Sequence, residues 1–296
     1  MKPGILGIGW EVPRDRADPD AGWRVATAEP GSVPPRLRRS GAIARHALAA
    51  ARAAYRSAGV DPGPGDAIVF ATTDGGIAHS KKFFSGLSAD GCGSPLLFPE
   101  TVYNAPCSHV AAVLGIGGPA LTLVTDDGLS AVCEAARMVA GGFAARVLAI
   151  AANEADPMAS MAHRHWRVVR SGTNPAGEGA AALLVGTGGM ARVEKWESGP
   201  PVRTRAACRE IFKSGFPAGA LVAGSFSGPL GRAARRGLPG AAGVAFDASG
   251  VFGEAGAVGG AAAAVWLSGH LEAGGCGVVF SCGYAGGNSS LCLTGA

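Results

Sequence analysis

Residues 98–154 read FPETVYNAPCSHVAAVLGIGGPALTLVTDDGLSAVCEAARMVAGGFAARVLAIAANE, and the order of elements within them decides the fold class. ALTLVT is a short apolar run between Gly118-Pro119 and Asp126-Asp127, as expected of a strand. LSAVCEAARMVAGG spaces its apolar residues for a helix and stops at a Gly pair, and ARVLAIAANE is a further strand buried on both faces. Strand, helix and strand, with Gly at the joints, predict a βαβ unit in an α/β fold.

The pattern continues on both sides. GILGIGWEVP reads as a first strand, Asp15 to Ser40 as a Pro- and Arg-rich excursion, and IARHALAAARAAYRSAGV as a helix ending at Gly59. DAIVFATTDG is another buried strand. The stretch His163 to Pro175 reads as a loop, and GEGAAALLVG and ARVEKW as a pair of strands. Glu197 to Ala206 looks like a connector, which divides the chain into halves at 1–196 and 197–296. The second half is short: helix-compatible stretches at 231–236 and 254–267, then the strands GVVFSCGY and SSLCLTG.

Composition narrows the function classes. The 296 residues carry Lys+Arg 26 against Asp+Glu 22, a net charge of +4, with 48% hydrophobic and only 16% charged residues. So apolar a chain buries enough surface to fold, and +4 over this length is no nucleic-acid footprint. The longest apolar tract, Gly256 to Leu267, is short of a membrane span, and no signal peptide is legible. Seven cysteines with no C-x-x-C pair favour reduced, buried thiols over a disulfide or zinc framework, and hence a cytoplasmic protein.

Several local motifs fail. GILGIG is not G-x-G-x-x-G and leads into a polar, Pro-containing stretch, a poor dinucleotide site. GSFSG at Gly224–Gly228 centres on Phe226, not a serine nucleophile. His163 and His165 flank Arg164 without a third ligand at metal spacing, and read as exposed loop residues. Asp126-Asp127, where a strand meets a helix, could supply a general base or metal ligand, but helix capping is the simpler reading.

Taken together, the 98–154 run, the Gly177-Glu178-Gly179-Ala180 strand start and the closing SCGYAGGNSSLCL resemble the β-ketoacyl-acyl-carrier-protein synthase family. In the closing run Gly283, Gly286 and Asn288 match the family turn, while Ala285 and Gly287 replace a Gly and a Thr. The resemblance covers nearly the whole chain. It implies a thiolase-like layered αβαβα fold of two related halves, the second shortened, with no cofactor or metal.

It also implies where chemistry should lie, and there this chain departs. Counted from Gly118-Pro119, the family's nucleophilic cysteine falls on Asp127, and Cys133 lies well inside the following helix. AGSFSGPLG puts Gly224 at the first catalytic histidine, and SGVFGEAG puts Gly250 at the second, with no lysine before it. No thiolate and no imidazole remain for acyl transfer or decarboxylation. The pattern is similar to a chain length factor, the inactive subunit that pairs with an active ketosynthase and shapes its acyl tunnel. Its expected partners are that ketosynthase, as a heterodimer, and acyl carrier protein. The products would be of polyketide, aryl-polyene or fatty-acid type. The interface helix would carry Tyr103, Asn104, Pro106, Cys107, Ser108, His109 and Val110, and the loop Gly283, Gly286, Gly287 and Asn288 would be structural. The alternative is a thioester enzyme of changed chemistry that uses Asp127; a dinucleotide-binding protein is the more distant reading.

Overall fold

A computed structural model of the protein describes residues 2–11, 15–18, 22–24, 34–165, 177–213, 217, 219–238 and 243–296. Residues 19–21 and 25–33 of the excursion at Asp15–Ser40, and residues 166–176 after His165, therefore lie outside the described residues. The first half contains β1 (Pro3–Glu11), the small pair β2 (Asp15–Asp18) and β3 (Gly22–Arg24), and α1 (Ala42–Ala58). It continues with β4 (Ala67–Thr72), α2 (Ile77–Asp90), α3 (Ala105–Leu114), β5 (Ala120–Val124), α4 (Leu129–Ala140), β6 (Val147–Asn153), α5 (Pro157–His165) and β7 (Gly179–Thr187). The second half runs β8 (Ala191–Gly199), α6 (Arg205–Cys208), β9 (Leu221–Phe226), α7 (Gly228–Gly237), β10 (Val244–Asp247), α8 (Ser249–Phe252), α9 (Val258–His270), β11 (Cys276–Cys282) and β12 (Asn288–Gly295).

Strand order exposes an internal repeat. The sheet runs β10-β9-β11-β12-β8-β1-β7-β6-β4-β5. Read from each end toward the middle, both halves have the same order and the same pattern of parallel and antiparallel pairs. The halves join through a two-residue contact of β1 with β8. β7 and β8 do not pair with each other, as their adjacency in sequence suggested, because β1 lies between them. The boundary expected after residue 196 falls inside β8, and the repeat puts β8 at the head of the second half.

Burial converts this order into layers. Along β6, Val147, Ala149 and Ala151 face one core while Leu148, Ile150 and Ala152 face another, the two-residue alternation of a strand buried on both sides. The first of these cores sits between the halves and contains α4 and α9. The second lies beneath α1 and α3. A third, under α6 and α7, covers the far face of the second half. The result is helix, sheet, helix, sheet, helix. α9, with Ala261 to Ala264 all buried, is apolar all round because it is enclosed. Small residues bring α4 and α9 together: a Cβ at Gly260 would lie 2.7 Å from the Leu129 amide. Part of the shortening falls on the first helix of the half. α1 has 17 residues, whereas its counterpart α6 has 4 and packs chiefly on α7.

Candidate functional site

The C-terminal ends of the parallel strands β4, β5 and β6 meet the start of α4 and the loop between β11 and β12. At this junction Asp127 is 2% exposed. Its Oδ1 accepts the Leu129 amide at 3.2 Å and its Oδ2 accepts the Ser289 hydroxyl at 2.6 Å. Burial raises its pKa to about 6, against the pull of the Ser281 and Ser289 hydroxyls. The carboxylate thus caps α4 and ties it to the second half, almost wholly out of contact with solvent. Cys133, on the buried face of α4, has its thiol pushed up to about 12 by burial.

Asp126 fills the β11–β12 loop. It accepts the backbone amides of Ala285 and Gly287, while burial raises its pKa. A Cβ at Gly283 would overlap the Asp126 carboxyl group, and one at Gly287 would come within 2.7 Å of its Oδ1. Gly286 has φ +92°, a conformation glycine adopts freely. Asn288 donates to Pro200 O at 2.9 Å and Gly286 O at 3.1 Å, closing the loop onto the segment that follows β8.

Neither glycine that the resemblance sets at a catalytic histidine position carries a side chain beyond hydrogen. Gly224 is buried in β9, where a Cβ would strike the Phe226 ring and lie 3.2 Å from Phe280 O. Gly250 is exposed on α8 with open space around it. The helix expected at the interface divides by face. Pro106, Cys107 and Val110 are buried, and Cys107 and Val110 belong to the core beneath α1, where burial pushes the Cys107 thiol up to about 11. Asn104 and Ser108 are exposed, and His109 binds Glu100 at 2.8 Å. Of the seven residues, Tyr103 alone is among those that line the adjoining cleft.

That cleft, about 840 Å³, lies among α2, α5 and the turn Phe98–Glu100. At one end stands a group that the sequence reading passed over. Asp74, just beyond β4, accepts Asn153 Nδ2 at 3.2 Å and faces His163 Nε2 at 3.7 Å. His163 was expected to be an exposed loop residue. It is 4% exposed, on α5, with its ring 5.3 Å from that of Tyr284. The physical reason is that Ala159, Ser160 and His163 form the inward face of a helix, with Met158 and Met161 outward. Burial raises the Asp74 pKa, and His163 and Asn153 oppose the rise.

The chain matches the β-ketoacyl synthase N-terminal domain over residues 16–194. It belongs to the β-ketoacyl synthase family. No curated protein matches it. Among solved structures, the ishigamide ketosynthase/chain length factor aligns with TM-score 0.79 and 16% identity over 100% of this chain and 99% of its own. A β-ketoacyl synthase from Burkholderia phymatum STM815 aligns at 0.81 and 14% over 100% of both chains. A type II polyketide synthase acyl-carrier protein in complex with its ketosynthase, bound to the hexaketide, aligns at 0.77 and 15%, again over 100% of both. At these identities the likeness is one of fold, the thiolase-like layered α/β arrangement. No described helix of this family member is long and apolar enough to cross a membrane.

Proposed function

We propose that this chain is a non-catalytic, chain-length-factor-like subunit that pairs with an active β-ketoacyl-acyl-carrier-protein synthase and forms part of the wall of its acyl tunnel. The observation that carries the reading is the state of the family's nucleophile position. Asp127 is buried and hydrogen-bonded as a helix cap, and Gly224 and Gly250 stand at the two histidine positions. An enzyme that uses Asp127 would need that carboxylate to reach an acyl group, and its burial argues against this.

Pairing is supported by the surface. Among the described residues, ten of the twelve large apolar side chains that remain exposed lie within 84–124 and 158–161. They include Phe84 at 61% and Val124 at 57%. β5 carries Leu121 and Val124 at the end of the sheet, with no strand beyond it among the described residues. An apolar edge strand of this kind invites another chain. Polyketide assembly is the favoured context, with acyl carrier protein as a further partner.

The test is acylation followed by mass spectrometry. Incubated alone with malonyl- and acyl-loaded carrier protein, the chain is expected to acquire no acyl adduct and make no condensation product. Addition of the ketosynthase is expected to give product, with the adduct on that subunit. An adduct on this chain, lost in Asp127→Asn, would overturn the reading.

A further inference from the structure

Charge is unevenly placed along this chain. Between residues 201 and 238 stand seven Arg and Lys against one acidic residue, Glu210, so the segment carries +6 on a chain whose net charge is +4. The fold gathers these cations into the layer of α6 and α7. Gly237, at the end of α7, abuts the backbone of Arg209, where a Cβ would lie 2.1 Å from the Arg209 carbonyl oxygen. Arg205 and Arg209 are one helical turn apart, the Arg209 amide donating to Arg205 O at 3.3 Å. Arg232 lies 3.9 Å from Glu254, Arg235 binds Asp247, and Lys213 binds Glu210 at 2.7 Å. Arg203, Arg205, Arg209 and Arg236 are exposed and have no acidic partner among the described residues. Like charges this close repel, at a cost in stability that a counter-charge from outside the chain removes. Beside them the shortened helix leaves a gap. The 17-residue α1 packs on β1, β7 and β6, whereas the counterpart strands β8, β12 and β11 meet only the 4-residue α6 and the turn after it. There a pocket of about 440 Å³ opens, with Ile211, Phe212, Val278, Phe280 and Cys292 in its wall. Ile211 and Phe212 fall between Arg209 and Lys213 in the chain, so the pocket adjoins the cations.

We propose that the α6–α7 face is a docking surface for a carboxylate-bearing helix of another protein, with Arg205, Arg209 and Arg236 as its anchors and the adjoining pocket as the seat of one apolar side chain. Guanidinium forks match carboxylates two hydrogen bonds at a time. Among the described residues no large apolar or aromatic side chain is exposed on α6, α7 or the segment between them, so the face supplies nothing to stack on bases or to insert into lipid. A second copy of the chain would bring the same positive face and be repelled. α7 packs on β9 and β11, at the opposite end of the strand order from β5, so this partner occupies a different face from the ketosynthase. The inference stands on charge and shape alone and is independent of the tunnel reading.

The probe is a fluorescent Ala-based helix of about 20 residues with glutamates at i, i+4 spacing and one leucine on the same face, titrated with the full chain by anisotropy. Saturable binding that weakens as salt rises is expected. The triple variant Arg205→Gln, Arg209→Gln, Arg236→Gln is expected to lower the affinity at least about tenfold. These side chains are exposed, and with their repulsion relieved the variant is expected to be at least as stable as the parent by thermal denaturation. Exchange of the peptide leucine for alanine is expected to weaken binding about threefold or more. Val124→Lys, at the other end of the sheet, is expected to leave the affinity within about twofold. An affinity unchanged in the triple variant would overturn the proposal. So would equal binding of a peptide of the same composition with its glutamates spread around the helix. Tighter binding, through the same arginines, of single-stranded DNA of similar length or of phosphatidylglycerol vesicles would replace the protein partner with another class and overturn it too. The probe binds the chain alone, so a failure of ketosynthase pairing leaves each of these results readable.

Discussion

Replacing Asp127 with Asn separates a structural carboxylate from a working one. Burial holds the Asp127 pKa at about 6, roughly two units above its ordinary value, with the like charge of Asp126 adding to the rise. Between about pH 4 and pH 6 the folded chain keeps the proton that the unfolded chain has released, so stability falls as pH rises through that window. Above pH 6 the full penalty is present, at most about 3 kcal/mol. An Asn carries no charge to desolvate. Its Oδ1 can still accept the Leu129 amide and its amide can meet the Ser281 and Ser289 hydroxyls, which are free to rotate into acceptors. Asp127→Asn is therefore expected to be more stable than the parent by about 1–3 kcal/mol at pH 8 and nearly equal to it at about pH 3.5, by urea denaturation at each pH. Extension by the heterodimer is expected to stay within about twofold. A loss of stability above about 2 kcal/mol at pH 8, or loss of acyl turnover, would refute the reasoning.

Other perturbations probe different parts of the account. Gly224→His, which places an imidazole where the resemblance sets the first catalytic histidine, is expected to give no activity and to destabilise by about 1–3 kcal/mol, because its Cβ meets the Phe226 ring and the Phe280 carbonyl in a filled core; thermal denaturation reads this directly. Val124→Lys, on the outer edge of β5, is expected to leave the isolated chain folded by circular dichroism and weaken its association with the ketosynthase at least about tenfold by calorimetry. Burial, with the positive charge of Arg45 acting in the same direction, pulls the His46 pKa down to about 4. His46 therefore stays neutral in the fold while the unfolded chain takes up a proton, and stability is expected to fall by up to about 3 kcal/mol from pH 6.5 to pH 4. His46→Gln should flatten that acid limb of the denaturation curve.

The strands were legible where they are buried on both faces, since β4, β6 and β7 read as unbroken apolar runs with turn residues at their ends. α1 and α4 were legible from one-sided periodicity and their terminal glycines. Neighbours in the sheet were not. The β7–β8 adjacency in sequence suggested a pair, and only tertiary structure inserts β1 between them. The capping role of Asp127 could be read from its place before α4, whereas its Ser281 and Ser289 partners lie over 150 residues away. The Asp74–Asn153–His163 group was hidden for the same reason: Asp74 lies beyond β4, far in the chain from Asn153 at the end of β6 and His163 on α5, and only the fold brings them together. The helix at Ala105–Leu114 falls within the stretch expected to form the interface, but which of its faces looks inward depends on α1, whose packing buries Cys107 and Val110.

The central claim, that this fold serves as the inactive half of a condensing pair, is tested most directly by native mass spectrometry of the chain co-expressed with an active ketosynthase. A stable 1:1 heterodimer that extends acyl chains, with neither association nor turnover by this chain alone, is the expected result. A well-folded homodimer that ignores the ketosynthase would contradict it.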